Sequence, residues 1–307
     1  LIHLINGRVS FMKNTIFTGA GVAIITPLLE DGSIDYNGFA ENIEYQITNG
    51  TDAIIVCGTT GEASTMTDEE HIECIRFAVE KTAGRIPVIA GTGSNDTRYA
   101  VELSKVAQEK GADGLLLVTP YYNKSSQKGL VAHFTAVADA VDIPIILYNI
   151  PGRTGMNIDI NTYKILGQHK NIVAVKEASG NISYTSKLIA QCGDLLDVYS
   201  GNDDIIVPMM AIGSKGVISV LSNVMPKETH ELAQLCLDNK CAEAAELQMK
   251  YLELINNLFI EVNPIPVKEA MNLMGMPSGP CRLPLCTMTD EHIETLKNSM
   301  KKYGLIK

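Results

Sequence analysis

Eight short apolar runs at nearly regular intervals constrain the fold of this chain more than any other feature of its sequence. They occupy residues 21–26, 53–57, 87–90, 114–119, 144–148, 172–176, 197–200 and 216–220. Their centres lie roughly 20–33 residues apart, the length of one strand, one loop and one helix. Each run is β-branched or leucine-rich at successive positions, the composition of a strand buried on both faces in a parallel sheet. The intervals carry a helical period. Phe39, Ile43 and Ile47 repeat at four residues, Ile72, Ile75 and Val79 at three and four, and Ala100, Leu103 and Ala107 likewise. Thr67 or Asp68 opens one helix with acidic residues in its first turn, and Gly111 closes another. Eight βα units in succession predict an α/β chain closed into a (β/α)8 TIM barrel, with an open doubly wound sheet as the alternative.

Beyond Val220 the pattern is wholly helical. Leu247, Tyr251, Leu254 and Leu258 form one apolar stripe, and Pro264, Pro266, Pro277, Pro280 and Pro284 punctuate the stretch after it. The expected organisation is a barrel over residues 13–237 and a C-terminal helical region over 238–307. Residues 1–12 read as an N-terminal extension expected to be disordered, and Met12-Lys13-Asn14 as a natural start.

Charge and cysteine usage exclude several functions. The net charge of -10 supplies no basic stripe to neutralise phosphates, so a nucleic-acid partner is not expected. The seven cysteines contain no Cys-x-x-Cys pair and read as reduced thiols of a cytoplasmic protein. His71-Ile-Glu73 and His292-Ile-Glu294 place their polar residues two apart, which a helix does not bring to one face, so no metal site is expected. No run approaches the roughly 18 apolar residues of a membrane span.

In a barrel of this kind, chemistry gathers where strands end and βα loops begin. The second run leads into Gly58-Thr59-Thr60-Gly61-Glu62, whose backbone N–H groups and two hydroxyls could bind a carboxylate. It is equally a plain loop into a helix, and it is no dinucleotide fingerprint or Walker loop. The fourth run ends Tyr121-Tyr122-Asn123, and the fifth Tyr148-Asn149-Ile150-Pro151-Gly152-Arg153-Thr154-Gly155. Tyr148 is a candidate acid–base group, or a ring packed in the barrel mouth. Arg153 is a candidate carboxylate clamp, or a surface ion-pair partner. The sixth run ends in Lys176, whose stem starts inside an apolar barrel. Desolvation there, helped by Arg153 if the two share a site, lowers the lysine pKa toward the neutral amine that attacks ketones. The bland alternative is a lysine that ends a strand and reaches out to water.

Taken together, Gly58-Thr59-Thr60-Gly61-Glu62, Tyr121-Tyr122-Asn123, Tyr148-Asn149-Ile150-Pro151 with Arg153-Thr154-Gly155, and Val175-Lys176-Glu177-Ala178 resemble the dihydrodipicolinate synthase / N-acetylneuraminate lyase family. The similarity runs from about Thr18 to the C-terminus. It implies a class I lyase in which pyruvate forms an imine on Lys176 and, as the enamine, attacks the aldehyde of L-aspartate 4-semialdehyde. Cyclisation through the substrate's own amine would release the heterocycle for lysine and diaminopimelate biosynthesis. By position, Tyr148 would be the central proton-relay hydroxyl, Thr59 its link to Tyr122, and Thr60 the holder of the pyruvate carboxylate. Arg153 would anchor the second carboxylate, with Gly201 and the Ile218 carbonyl lining the pocket. No metal or organic cofactor is implied. The implied assembly is a homotetramer, a dimer of dimers, in which Tyr121 or Tyr122 reaches a neighbouring subunit's site. A pyruvate-dependent aldolase of a 2-keto-3-deoxy sugar acid or sialic acid is the alternative, and Arg153 weighs against it.

The resemblance also implies an effector pocket for L-lysine, which Ser64, His71, Asn95 and Tyr121 fit. Two positions depart from the pattern. Asp68 stands where a histidine is typical, and Tyr99 where a glutamate meets the effector's ammonium. Weak or absent lysine inhibition is therefore expected.

Overall fold

In the computed structural model, which describes residues 2–5, 8–11 and 15–307, the eight apolar runs become eight parallel strands of one closed sheet. Two short strands precede them. β1 (Ile2–Ile5) and β2 (Arg8–Phe11) pair antiparallel, with Ile2 opposite Phe11 and Ile5 opposite Arg8. Residues 1, 6, 7 and 12 of the expected N-terminal extension, and 13 and 14 after it, lie outside the described residues. Residues 2–5 and 8–11 of the extension form this strand pair.

The barrel strands are β3 (Gly19–Ala23), β4 (Ala53–Val56), β5 (Val88–Gly91), β6 (Gly114–Val118), β7 (Ile145–Asn149), β8 (Ile172–Glu177), β9 (Asp197–Ser200) and β10 (Gly216–Ser219). Each pairs with the next, and β10 returns to β3, so the closed barrel is borne out against the open sheet. Around it run α1 (Tyr36–Thr48), α2 (Asp68–Thr82), α3 (Thr97–Glu109), α4 (Gln127–Asp139), a short α5 (Pro151–Thr154), α6 (Ile160–Leu166), α7 (Ile182–Cys192), α8 (Ile206–Ala211) and α9 (Pro226–Leu237). α10 (Cys241–Asn257), α11 (Ile265–Leu273) and α12 (Asp290–Lys302) complete the chain.

Strand alternation sorts the side chains into two cores. Ile54, Val88, Leu115, Leu117, Ile145, Leu147 and Val175 point outward and pack with helix residues such as Phe39, Ile75 and Phe134. Ile55, Ile89, Leu116, Ile146 and Ala174 point inward. Phe17 and Tyr199 stack with ring centroids 4.4 Å apart, and the Tyr199 hydroxyl donates to the Phe17 carbonyl at 2.6 Å, filling the interior. This parity decides the site, because Tyr148 and Lys176 stand two residues beyond the inward-facing Ile146 and Ala174.

The first barrel strand, β3, begins at Gly19, earlier than the expected 21–26. Asp52 is the reason. Its carboxylate accepts from the Ala20 N–H at 2.7 Å, and a Cβ on Gly19 would lie 2.2 Å from that same oxygen. A close approach demanded small residues, and small residues give no hydrophobic signal.

The last three helices gather Tyr251, Leu254, Leu258, Val267, Met271, Leu296 and Met300 into a core shared with Ile25, Val220 and Leu221. Those three residues follow the C-terminal ends of β3 and β10, so the C-terminal helices pack beside the barrel mouth. All seven cysteines are free thiols. Among the described residues no helix is long and apolar enough to cross a membrane.

Candidate active site

The mouth of the barrel holds a cavity of about 450 Å³. Thr59, Tyr148 and Arg153 line it, and so do Ser64, His71, Tyr99 and Tyr121. Thr59, Tyr148 and Arg153 therefore share one continuous space with Ser64, His71 and Tyr121 of the candidate effector pocket, while Lys176 and Thr60 lie outside its lining.

Lys176 and Tyr148 are directly opposite one another in the β7–β8 register. Both are buried, and the lysine Nζ sits 4.4 Å from the centroid of the tyrosine ring. Burial pulls the Lys176 pKa down to about 8; Asp203 opposes that shift and the Arg153 cation adds to it. The neutral amine is thereby within easy reach near physiological pH. Burial pushes Tyr148 up to about 12, against the lowering effects of Arg153 and of a hydrogen bond with Thr59, with Glu177 adding a small rise. The phenol therefore stays protonated at neutral pH and can donate.

The outward-facing neighbours brace this pair. Asn149 and Glu177 are the next residues in register, and Asn149 Nδ2 donates to Glu177 Oε2 at 2.8 Å. Glu177 Oε1 accepts from the Ser179 N–H at 2.7 Å. Asn149 Oδ1 accepts from the Ile158 N–H at 3.1 Å.

The loop after β4 opens with Cys57 at a φ of 54°, left-handed backbone that turns the chain sharply out of the strand. Gly91 on β5 makes room for that turn, since a Cβ there would lie 2.2 Å from the Cys57 carbonyl oxygen. Thr59 reaches the cavity. Thr60 is buried, and its hydroxyl accepts from Asn263 Nδ2 at 3.0 Å. Arg153, on α5, donates to the Asn263 carbonyl at 2.9 Å. The two candidate carboxylate binders, Thr60 and Arg153, thus converge on one asparagine.

Gly201 follows β9, and a Cβ on it would press against Ala178 Cβ at 2.6 Å. Ile218 is an inward-facing residue of β10. Asp203 is buried after β9, its Oδ2 accepting from the Val220 and Leu221 N–H groups at 3.0 and 2.9 Å. Tyr122 stands apart. It is 88 % exposed and does not line the cavity of its own chain.

Asn95 also differs from its sister effector candidates, for its side chain holds a loop. Oδ1 accepts from the Tyr121 and Tyr122 N–H groups at 2.8 and 3.1 Å. His71 Nε2 donates to the Gly91 carbonyl at 2.8 Å, and burial lowers its pKa against the opposing effects of that bond and of Asp68. The two departures from the effector pattern prove to be partners, the Tyr99 hydroxyl donating to Asp68 Oδ1 at 2.6 Å.

Asn263, Asp203, Glu62 and Lys268 contact or neighbour the candidate site residues, and sequence reasoning gave them no role. Only Glu62 fell within a quoted motif, and no spacing marks the other three.

A closed barrel whose mouth pairs a buried lysine with a buried tyrosine is built as a (β/α)8 lyase. The profile of the Dihydrodipicolinate synthetase family matches residues 16–303. The chain is 58 % identical over 295 residues to the 4-hydroxy-tetrahydrodipicolinate synthase of Acetivibrio thermocellus, covering 96 % of this chain and 100 % of that one. The dihydrodipicolinate synthase structure from Aquifex aeolicus superposes with a TM-score of 0.92 at 50 % identity, covering 94 % of this chain and 99 % of that one. The structure of the Acinetobacter baumannii enzyme complexed with pyruvate gives 0.93 at 43 % identity, covering 95 % and 100 %. The chain belongs to the dihydrodipicolinate synthetase family.

Proposed function

We propose that this chain condenses pyruvate with L-aspartate 4-semialdehyde to 4-hydroxy-tetrahydrodipicolinate, using Lys176 as the imine-forming nucleophile. The observation that carries the reading is the buried amine over the Tyr148 ring with its pKa drawn down to about 8. The neutral Nζ attacks the ketone carbon of pyruvate. The carbinolamine loses its hydroxyl as water when Tyr148 donates a proton, leaving the imine. Loss of a methyl proton gives the enamine, whose carbon bonds to the aldehyde carbon of the second substrate. That substrate's amine then adds to the imine carbon and expels the Lys176 amine, closing the ring. Pyruvate and semialdehyde become product and one water.

Within this scheme Thr59 passes protons to and from Tyr148, and Thr60 with its loop holds the pyruvate carboxylate. Arg153 meets the semialdehyde carboxylate, and Gly201 and the Ile218 carbonyl shape the pocket. The exposed Tyr122 completes the relay in a neighbouring subunit's site, within a homotetramer arranged as a dimer of dimers in the cytoplasm. The guanidinium at the cavity wall favours a carboxylated aldehyde over a polyhydroxylated one. The test is a comparison of kcat/KM for pyruvate paired with aspartate semialdehyde against pyruvate paired with N-acetylmannosamine or a short sugar aldehyde. Turnover with the semialdehyde is expected to dominate. Preference for a sugar would overturn the assignment.

A further inference from the structure

One buried ion pair takes no part in imine formation or ring closure. Lys268 on α11 is 1 % exposed, and its ammonium makes three hydrogen bonds: to Glu62 Oε1 at 2.7 Å, the Pro280 carbonyl at 2.5 Å and the Thr26 carbonyl at 3.3 Å. Glu62 is itself 5 % exposed, and its Oε2 accepts from the Arg282 N–H at 2.9 Å. A pair so deeply desolvated is a poor source of stability, since an apolar pair of the same shape often does as well. Its location suggests what it does instead.

Glu62 ends the loop that carries Thr59 and Thr60. Its backbone has a φ of 56°, in the left-handed region, and its N–H donates to the Thr59 carbonyl at 3.2 Å. The preceding Gly61 donates to the Gly58 carbonyl at 3.1 Å, and its own carbonyl accepts from the Thr26 hydroxyl at 2.8 Å. Lys268 grips both sides of this arrangement, the Glu62 carboxylate and the Thr26 carbonyl. Asn263, just upstream of α11, holds the Thr60 hydroxyl and accepts from Arg153. The segment from Asn263 to Lys268 thus touches the loop at its centre and at its end.

We propose that Lys268 and Glu62 are positioning residues, through which the C-terminal helices set the 58–62 loop so that Thr59 meets Tyr148 and Thr60 faces the pyruvate carboxylate. The inference rests on the imine reading of Lys176. A positioning role predicts slower imine formation without any change in the lysine itself. Burial in the barrel is the main cause of the lowered Lys176 pKa, and the two charges that also act on it, Asp203 and Arg153, do not lie on this loop.

The test uses the full chain with Lys268→Met, Glu62→Gln and the double variant Lys268→Met/Glu62→Gln. The double variant leaves no buried charge unpaired, so its fold and thermal midpoint are expected to stay near those of the parent. The rate of borohydride-trapped pyruvate adduct is expected to fall about tenfold or more, the usual scale for misplacing groups around a reacting centre. KM for pyruvate should rise more than KM for the semialdehyde, and the pH midpoint for trapping should not move. Should both Lys268 variants fail to fold, Glu62→Gln carries the test: its amide oxygen can still accept from one of the two donors, Lys268 or the Arg282 N–H, and its thermal midpoint is measured before trapping is read. A folded variant that traps pyruvate at the parental rate overturns the inference. If the parent itself forms no adduct at Lys176, it is the imine reading that falls.

Discussion

Lys176 lies over the face of Tyr148, its Nζ 4.4 Å from the ring centroid, on adjacent strands whose register sets the two residues side by side. The β7–β8 ladder holds the two backbones in register, and the Asn149–Glu177 bond on the outer face ties the same two strands. Under the proposed mechanism, the barrel sets the imine-forming lysine beside its proton donor before any substrate arrives.

Burying that lysine costs stability, and the cost depends on pH. Its folded pKa of about 8 lies below the ordinary 10.5. Below 8 both folded and unfolded states hold the proton, and the folded state bears the full penalty. Between 8 and 10.5 the unfolded chain holds a proton that the folded one has released, so stability rises with pH. Lys176→Met is expected to stabilise by up to roughly 3 kcal/mol at pH 7, since each tenfold loss of proton affinity on folding costs about 1.36 kcal/mol. The gain should shrink toward pH 10. Urea unfolding at both pH values and fixed protein concentration checks this, and equal gains would contradict a depressed lysine.

Tyr148→Phe removes the donor and keeps the ring that packs on Lys176. Turnover is expected to fall by about 10²–10⁴, the range for loss of a positioned acid–base group, with little change in thermal midpoint. Parental turnover would remove Tyr148 from the mechanism.

Arg153→Ala is expected to raise KM for the semialdehyde far more than KM for pyruvate, since a charge-assisted contact to the second carboxylate is lost. The same change deletes a cation that lowers the Lys176 pKa, so the acid limb of the pyruvate kcat/KM profile should move to higher pH. Asp203→Asn should move it the opposite way, because Asp203 raises that pKa. Shifts of one sign in both variants would mean that electrostatics do not set the limb.

L-Lysine is expected to inhibit weakly or not at all. Tyr99 occupies the Asp68 carboxylate at 2.6 Å, and its phenol, raised to about 12 by burial and by Asp68, offers no negative charge to an ammonium. A missing charge-assisted bond is worth about 1.5–3 kcal/mol. Initial rates titrated with L-lysine at near-KM pyruvate decide the point. Half-inhibition below about 1 mM, an affinity of roughly -4 kcal/mol or better, would contradict it.

The barrel was legible because strands buried on both faces cannot hide their apolar composition, and β9 has the predicted bounds at Asp197–Ser200. Lys176 and Tyr148 drew attention for a related reason, since a polar residue closing an apolar run stands out, whereas Thr59 and Arg153 lie past the strand ends and took their roles from the family resemblance. Where close packing dictated small residues, as at Gly19 and Ala20 beside Asp52, the signal vanished and the boundary shifted. Asn263 and Lys268 were invisible for a different reason. They meet Thr60 and Glu62 across 203 and 206 residues of chain, and their meaning lies wholly in that contact.

The most direct measurement is mass spectrometry of the protein reduced with borohydride in the presence of pyruvate, with the modified residue mapped by proteolysis. One pyruvate-derived adduct per chain is expected, on Lys176 alone. An adduct on another lysine, such as Lys215 or Lys268, or no adduct at all, would contradict the imine mechanism.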